Sequence, residues 1–417
     1  MGTTTFVKSS TPRTPGSHGH RRINIDVPLL LIVISLLSFG LMMLYSASWD
    51  YAVVREMAAS SIFLRQLLWA VVGLVLAGIV SMIDYHGYRK LILFIVGFTV
   101  FLLILVLIFG RGDADTPARG LFKGSVQPSE LAKLTIILYM SFWLDSKKEQ
   151  IRTFGFGFFP VMAILAVFFL LIFAQPDLSA AATVVVIGSI LYFLAGADWR
   201  QITLAIAGLG VIGWLFLKVY TTGAARLASY LAGLADLTKS NYHVMRAMEA
   251  VIRGGWFGVG IGQSSVKFTG LPVPHTDSIY AIVVEETGLL GASVVIILFG
   301  LLLWRGISIA RNAPDKLGSL LASGITFWIV LEAMLNMAVI IGLFPFAGNA
   351  LPFFSSGGSN LVITLIGIGV LMNISRTNMA NEAKDGSVFS AVVDLRRWNG
   401  RGRVPRTVSS PEPEQQD

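Results

Sequence analysis

Long apolar blocks alternate with short polar gaps along most of this chain. Blocks of about 17–25 apolar residues, the length that carries a helix across a hydrocarbon core, lie near 27–44, 62–83, 90–109, 129–145, 157–174, 179–197, 200–220, 278–304, 319–343 and 359–375. The pattern predicts an all-α polytopic membrane protein with about ten transmembrane helices. The first block is too long for a signal-peptide core and leads straight into further spans, so it is expected to be retained. One long interval, 221–277, separates helices 7 and 8. Within it Leu227, Tyr230, Leu231 and Leu234 recur at helical spacing beside Arg226 and Asp236, and Val244, Met245, Met248, Val251 and Ile252 do so beside His243, Arg246 and Glu249. They predict two amphipathic helices lying on or dipping into the outer leaflet, the second ending at Gly254. Residues 1–24 and 379–417 are polar and read as disordered tails around a membrane domain over 25–378.

Composition agrees: 54% of the 417 residues are hydrophobic and 13% charged, against roughly 25% charged in soluble domains. The net charge of +8 does not point to nucleic acid, because the basic residues are not gathered on one folded face. They mark topology instead. With loops assigned alternately, one side receives Lys8, Arg13, Arg21, Arg22, Arg89, Lys90, Lys147, Lys148, Arg152, Arg200, Arg305, Arg311, Lys316 and the arginine-rich tail from Arg376 to Arg406. The short loops of the other side hold only Arg55, Arg111, Arg119 and Lys123. The positive-inside rule places both termini in the cytoplasm and makes 221–277 a large extracytoplasmic loop. The absence of cysteine excludes disulfides, thiolate metal sites and cysteine nucleophiles. Five scattered histidines give no zinc-ligand spacing.

Candidate chemistry centres on 253–291. Glycines at 254, 255, 258, 260 and 262 precede Pro272, Pro274 and the triplet His275-Thr276-Asp277, after which an apolar helix begins. No Lys-Ser or Lys-Thr follows the glycines as a P-loop requires, so they predict a flexible or tightly packed loop. Position leaves two readings of Asp277 open: a helix N-cap, or a general base at the lipid–water boundary that takes a proton from a sugar hydroxyl. The neighbouring cations Arg246, Arg253 and Lys267 favour the second, since together they can hold a diphosphate by charge-assisted hydrogen bonds. Glu285, about 12 Å further along the helix at 1.5 Å per residue, is expected to line the same cavity. Glu286 is expected to pair with another helix. Each acid lies where ionisation is costly and seldom accidental.

Further groups lie on other segments. Arg119, Lys123, Gln127, Glu130 and Lys133 gather at the start of the fourth span, where Glu130 and Lys133 either pair structurally or line an anionic site. Gln175-Pro176-Asp177 suits a tight turn, and Glu332 with Asn336 an interhelical hydrogen bond. The loop 342–360, with Pro345, Pro352, Ser355, Ser356, Gly357 and Gly358, must be buried or line a cavity to satisfy its backbone. A wall opposite Asp277 is the expected place.

GLMMLYSAS (40–48), QPSELAKL (127–134), QPDLSAA (175–181), HTDSIYAIVVEETGLLG (275–291) and PFFSSGGSN stand in the order of the motifs of the SEDS family of bacterial cell-wall polymerases, which includes FtsW and RodA. The chain resembles that family over about 25–378, and GQSSVKFTGLPVPHTD looks more like its division branch than its elongation branch. It departs from the family in lacking tryptophan in ARGLFKGSVQPSE and in carrying Ser356 and Asn360 where Tyr and Ser are usual. The resemblance implies a peptidoglycan glycosyltransferase that polymerises lipid II into a nascent glycan strand at the outer face of the bacterial inner membrane, at the division septum. It maps the family's essential acid onto Asp277 and its fourth-helix lysine onto Lys133. The implied partners are a class B penicillin-binding protein and other divisome proteins. Positive charge or a divalent cation, Mg or Mn, would stabilise the leaving diphosphate, and no organic cofactor is expected. A lipid-linked precursor flippase, an elongation-type (RodA-like) polymerase and a non-catalytic scaffold are the rival readings.

Overall fold

The computed structural model describes residues 25–54, 56, 58, 60–110, 120, 127–175, 177–219, 221–267, 270–271, 273–346 and 348–398. Arg111, Arg119, Lys123 and the tail 1–24 lie outside them. Apolar blocks that cannot leave backbone groups unpaired in lipid become α1 (Val27–Val54), α2 (Ser61–Met82), α3 (Ile92–Phe109), α4 (Pro128–Ser146), α5 (Phe159–Phe173), α6 (Leu178–Leu194) and α7 (Trp199–Val219). The interval that follows holds α8 (Thr221–Ala235) and α9 (Tyr242–Gly254), and the chain closes with α10 (Ile279–Arg311), α11 (Lys316–Ile340) and α12 (Gly358–Trp398). A helix thus covers each predicted block, and no strand occurs among the described residues. Seven of the described helices are long and apolar enough to cross a membrane, with Leu178–Leu194 a shorter apolar one. α4 is not among the seven because Glu130, Lys133 and Asp145 interrupt it.

Contacts between connections sort the molecule into two ends. At one, Arg305 Nη2 reaches Asp26 Oδ2 at 2.8 Å, His86 Nε2 meets Asp315 Oδ2 at 2.6 Å, Arg152 Nε donates to the Gly196 carbonyl, and Lys316 Nζ donates to that of Ala195. At the other, Gln66, Gln127, Asp177, Asp277, Asn336 and Ser355 are joined by hydrogen bonds. Successive apolar helices therefore run from end to end. The most apolar 18-residue stretches of α11 and α12 are 67% buried and those of α2 and α3 22%, so α11 and α12 lie inside and α2 and α3 show a broad face outward.

Two expectations need correction. The face of α9 turned inward is narrower and smaller than the predicted stripe: Val244, Ala247, Ala250 and Gly254 are buried as α9 packs on α10 and α11, while Ile252 stays exposed. These small residues allow close approach, and Gly254 lies against the backbone of Val284 and Glu285. The segment from 379, expected as disordered, is helical to Trp398. It has no proline before Pro405 to stop the helix that α12 begins.

Candidate active site

The loop 342–360 folds back over the His275-Thr276-Asp277 segment. Ser355 Oγ accepts from Leu351 N at 2.7 Å and donates to the Thr276 carbonyl at 2.6 Å, and Ser356 N donates to the His275 carbonyl at 2.8 Å. Gln66 of α2 grips the same turn, donating to the Ser355 carbonyl at 3.1 Å and accepting from Gly357 N at 3.2 Å. From α11, Asn336 donates to the carbonyls of Asp277 and Asn349. Backbone at 275–277 is thereby fixed from both sides.

The Asp277 side chain is not a helix cap. Ser278 holds the cap position of α10 without a side-chain bond, and Asp277 Oδ1 lies 3.0 Å from Thr276 Oγ1. The half-buried carboxylate opens on a polar cleft of about 230 Å³ whose lining includes Gln127, Glu130, Gly348, Ser355, Ser359 and Asn360. The wall expected opposite Asp277 is there, since a methyl group on Gly348 would stand 3.5 Å from Asp277 Oδ2.

The start of α4 closes the cleft on another side. Gln127 Nε2 and Ser129 Oγ donate to Asp177 Oδ2 at 2.9 and 3.0 Å, while Asp177 Oδ1 caps α6 at Ala180 N. QPSE and QPD are thus halves of one joint. Lys133 Nζ lies 2.8 Å from Glu130 Oε2 and forms a shorter ion pair with Glu332 Oε1, 5.7 Å from the Trp328 ring. Asn360 donates to Glu130 at 2.8 Å. Lys133 is 3% exposed, so Glu130 lines the cleft and Lys133 holds it from behind.

The remaining sequence candidates are elsewhere. Glu285 does not line the cleft: it accepts from Ser264 Oγ, Ser265 N at 3.0 Å and Ser265 Oγ at 3.1 Å, tying the glycine-rich loop to α10. Glu286 does pair with another helix, accepting from Ser46 Oγ of α1 at 2.6 Å. Lys267 is buried against the Gly262 carbonyl at 2.9 Å and Glu286 at 3.5 Å. Arg246 and Arg253 share Glu249 at 2.7 Å each, and Arg253 also bonds Ser265. The three cations are not gathered at the cleft, because Glu249 of α9 holds Arg246 and Arg253 and Glu286 of α10 holds Lys267.

Sequence reasoning treated Arg226 and His243 only as polar edges of amphipathic helices. Beside the cleft lies a larger apolar groove of about 630 Å³, walled by residues such as Phe169, Leu178, Leu331 and Leu335, with Arg226, Phe346 and Asn349 also lining it. Gly348 and Ala350 line the polar cleft, so one strand of loop separates the two spaces. The Phe346 ring carries Arg226 5.8 Å from its centroid and is stacked on His243 at 4.4 Å. Burial holds His243 below the usual histidine range, against the pull of Asp277 and with the push of Arg226. Only a tertiary contact marks this cluster, and no spacing in the sequence announces it.

Among the described residues no group of three or more His, Asp and Glu side chains is placed to hold a metal ion. The acids lining the cleft, Asp277 and Glu130, fit a hard cation that takes most of its ligands from phosphate and water.

A bundle of apolar helices around a cleft lined by the carboxylates of Asp277 and Glu130 defines a multi-pass membrane protein with a polar site beside an apolar groove. The chain belongs to the FtsW, RodA and SpoVE family, described as cell cycle protein, whose model matches residues 27–380. It is 38% identical over 361 residues to stage V sporulation protein E of Bacillus subtilis, covering 85% of this chain and 98% of that one. It is 36% identical over 355 residues to the probable peptidoglycan glycosyltransferase FtsW of Geobacter sp. strain M18, covering 84% and 96%. Among solved structures the fold resembles a chain from a study of how a peptidoglycan synthase complex coordinates polymerization and crosslinking, with TM-score 0.71, 24% identity and coverage of 85% and 99%. It also resembles the rod shape determining protein RodA of Thermus thermophilus, with TM-score 0.62, 24% identity and coverage of 86% and 98%.

Proposed function

We propose that this protein is a peptidoglycan glycosyltransferase that polymerises lipid II at the outer face of the cytoplasmic membrane, for septal wall synthesis in division. The observation that carries the reading is the Asp277 carboxylate: fixed in position, free of any capping duty, and opening on a polar cleft beside an apolar groove. That pairing of spaces suits an amphiphile whose lipid tail lies in the groove and whose sugar lies in the cleft. Asp277 takes the proton from the acceptor sugar hydroxyl. The hydroxyl oxygen bonds to the donor's anomeric carbon as the bond from that carbon to the diphosphate breaks. Undecaprenyl diphosphate leaves. Arg226 lines the groove and is the cation suited to the developing diphosphate charge. A divalent cation, Mg or Mn, would be held by the diphosphate with Asp277 or Glu130 and would neutralise the same charge. The resemblance to a chain studied within a peptidoglycan synthase complex supports a transpeptidase of the class B penicillin-binding type as partner.

A flippase needs available polar groups along its path, whereas the Lys133 ammonium is taken up by Glu130 and Glu332. The test is lipid II polymerisation by the purified chain with its partner inactivated for cross-linking, a divalent cation supplied, and products resolved by gel. Native protein is expected to make polymer, and folded Asp277→Asn to lose about 10²–10⁴-fold of that activity. Equal polymer from both would remove Asp277 from the mechanism. No polymer from either folded complex would move the reading to lipid flipping.

A further inference from the structure

The glycine-rich loop bears outward side chains that the proposed chemistry does not use. α10 is broken at Gly288, whose φ of 69° and ψ of −171° are not helical. The loop fills the break. Val259 N and Gly260 N donate to the carbonyls of Glu285 and Glu286 at 3.0 and 3.1 Å, and Leu289 N and Leu290 N donate to those of Gly255 and Trp256 at 2.9 and 3.2 Å. A side chain at Gly258 would run into the Glu286 carbonyl. The loop is therefore a packed extension of α10.

Its level in the bundle follows from α1. Asp26, at the foot of α1, is paired with Arg305, and Ser46 is paired with Glu286, two residues from the break. From Asp26 to Ser46 a helix rises roughly 30 Å, the thickness of a hydrocarbon core. The loop thus stands at the opposite edge of the core, where irregular backbone must already have its partners. Val259 N and Gly260 N have theirs on α10, and the apolar side chains up to Ile261 face outward. Ile252, Trp256, Phe257, Val259 and Ile261 are exposed, Phe257 by 82%. The segment 254–266 contains no charged residue. On α10 the exposed surface continues through Leu289, Leu290, Val294 and Ile297.

We propose that residues 256–261, with Ile252 beside them, form a wedge seated in lipid at the membrane interface, with Trp256 and Phe257 as aromatic anchors. The occupant of this surface is the bilayer: the patch is continuous with the outward apolar face of a transmembrane helix and lies at the depth where aromatic belts form. Because Glu285 ties the same loop to the half of α10 that follows Asp277, the seat in lipid helps to set the height of that helix. The proposal rests on the membrane fold alone and not on the reaction.

The chain has no cysteine, so Phe257→Cys provides one nitroxide site in otherwise native protein reconstituted into phosphatidylethanolamine and phosphatidylglycerol vesicles. Collisions with oxygen and with a water-soluble nickel chelate are compared with those at Val294→Cys, on the outward face of α10, and Asp236→Cys, on the connection between α8 and α9. The expected result is an oxygen preference shifted from the Asp236→Cys value to the Val294→Cys value. Free collision with the chelate would put the loop in water and overturn the proposal. Exclusion of both reagents would show a protein, such as a second copy, covering the patch, and would also overturn it. Should Phe257→Cys not fold, Val259→Cys takes its place with the same expected shift.

Discussion

Lys133 touches two carboxylates and an aromatic ring in a space almost closed to solvent. Removing one member of a buried ionic group costs about 3–5 kcal/mol, because the partners remain buried without compensation. Lys133→Met is therefore expected to lower stability by that order, read as thermal unfolding in detergent, and Lys133→Met with Glu332→Gln to recover part of it. A single variant as stable as the native chain would show that Lys133 is not the keystone of α4 and α11. Glu285 is the complementary case. Glu285→Ala leaves the hydroxyl of Ser264 and the amide of Ser265 without their carboxylate, at roughly 1.5–3 kcal/mol for each such bond. The loop should then be cut by protease while the bundle stays folded; an unchanged digestion pattern would count against the tie. Asp277 stands out in the sequence as an acid at a helix start, but the cations that argue there against a cap are held elsewhere, and it is Ser278 in the cap position that frees the carboxylate. Spacing alone misplaces Glu285, because it assumes one straight helix from Asp277, whereas the helix starts at Ile279 and Glu285 is claimed by a loop twenty residues earlier. Arg226 and His243 meet only on Phe346, more than a hundred residues away in the chain.

Between elements, the connection from α2 to α3 works as a latch. His86 lies between Asp84 Oδ1 at 2.8 Å and Asp315 Oδ2 at 2.6 Å, while Tyr85 OH donates to Asp315, the N-cap of α11. Burial opposes the charge on His86, yet the hydrogen bonds to both carboxylates and their charges raise it above the ordinary 6.5. A group raised in the folded state contributes fully below its unfolded value, and the contribution is lost as pH rises through the folded value. Native protein should therefore lose thermal stability as pH is raised from about 6.5 through that higher value. His86→Gln should lack this slope, and equal slopes would show that the latch contributes nothing. At the other end, Gly258→Ala is expected to destabilise, since φ of 78° is strained for alanine and the methyl group meets backbone. Limited proteolysis of the loop reads the loss, and unchanged protection would mean that the close approach to α10 is dispensable. The sequence showed these glycines as a group without showing what they touch. A broken transmembrane helix and the loop that mends it are one object in space and two unrelated patterns in the chain.

For the molecule as a whole, the apolar blocks located the helices because a hydrocarbon solvent leaves a spanning segment few other ways to pair its backbone. They did not reveal the end of α12, since propensity alone carries a helix beyond the membrane until something stops it. Nor did they show that α9 faces α10: amphipathicity names an apolar face and is silent on whether lipid or protein covers it. What the structure adds is alternation. Connections at 83–91, 145–153, 195–198 and 312–315 share one end with Asp26, and those holding Asp177, Asp277 and Ser355 share the other. Among the described residues this agrees with the end-to-end run of successive helices, and the excess of lysine and arginine at the first end predicts that it faces the cytoplasm. With no native cysteine to interfere, Asp236→Cys should react with a membrane-impermeant maleimide added outside intact cells, and Lys148→Cys only after the cells are opened. The reverse order would invert the molecule and place Asp277 in the cytoplasm, where the polymer it is proposed to make has no wall to join. Labelling at both positions from outside would break the alternation itself. Sidedness thus decides whether the cleft faces the compartment in which its proposed product is used, and it is read without measuring any activity.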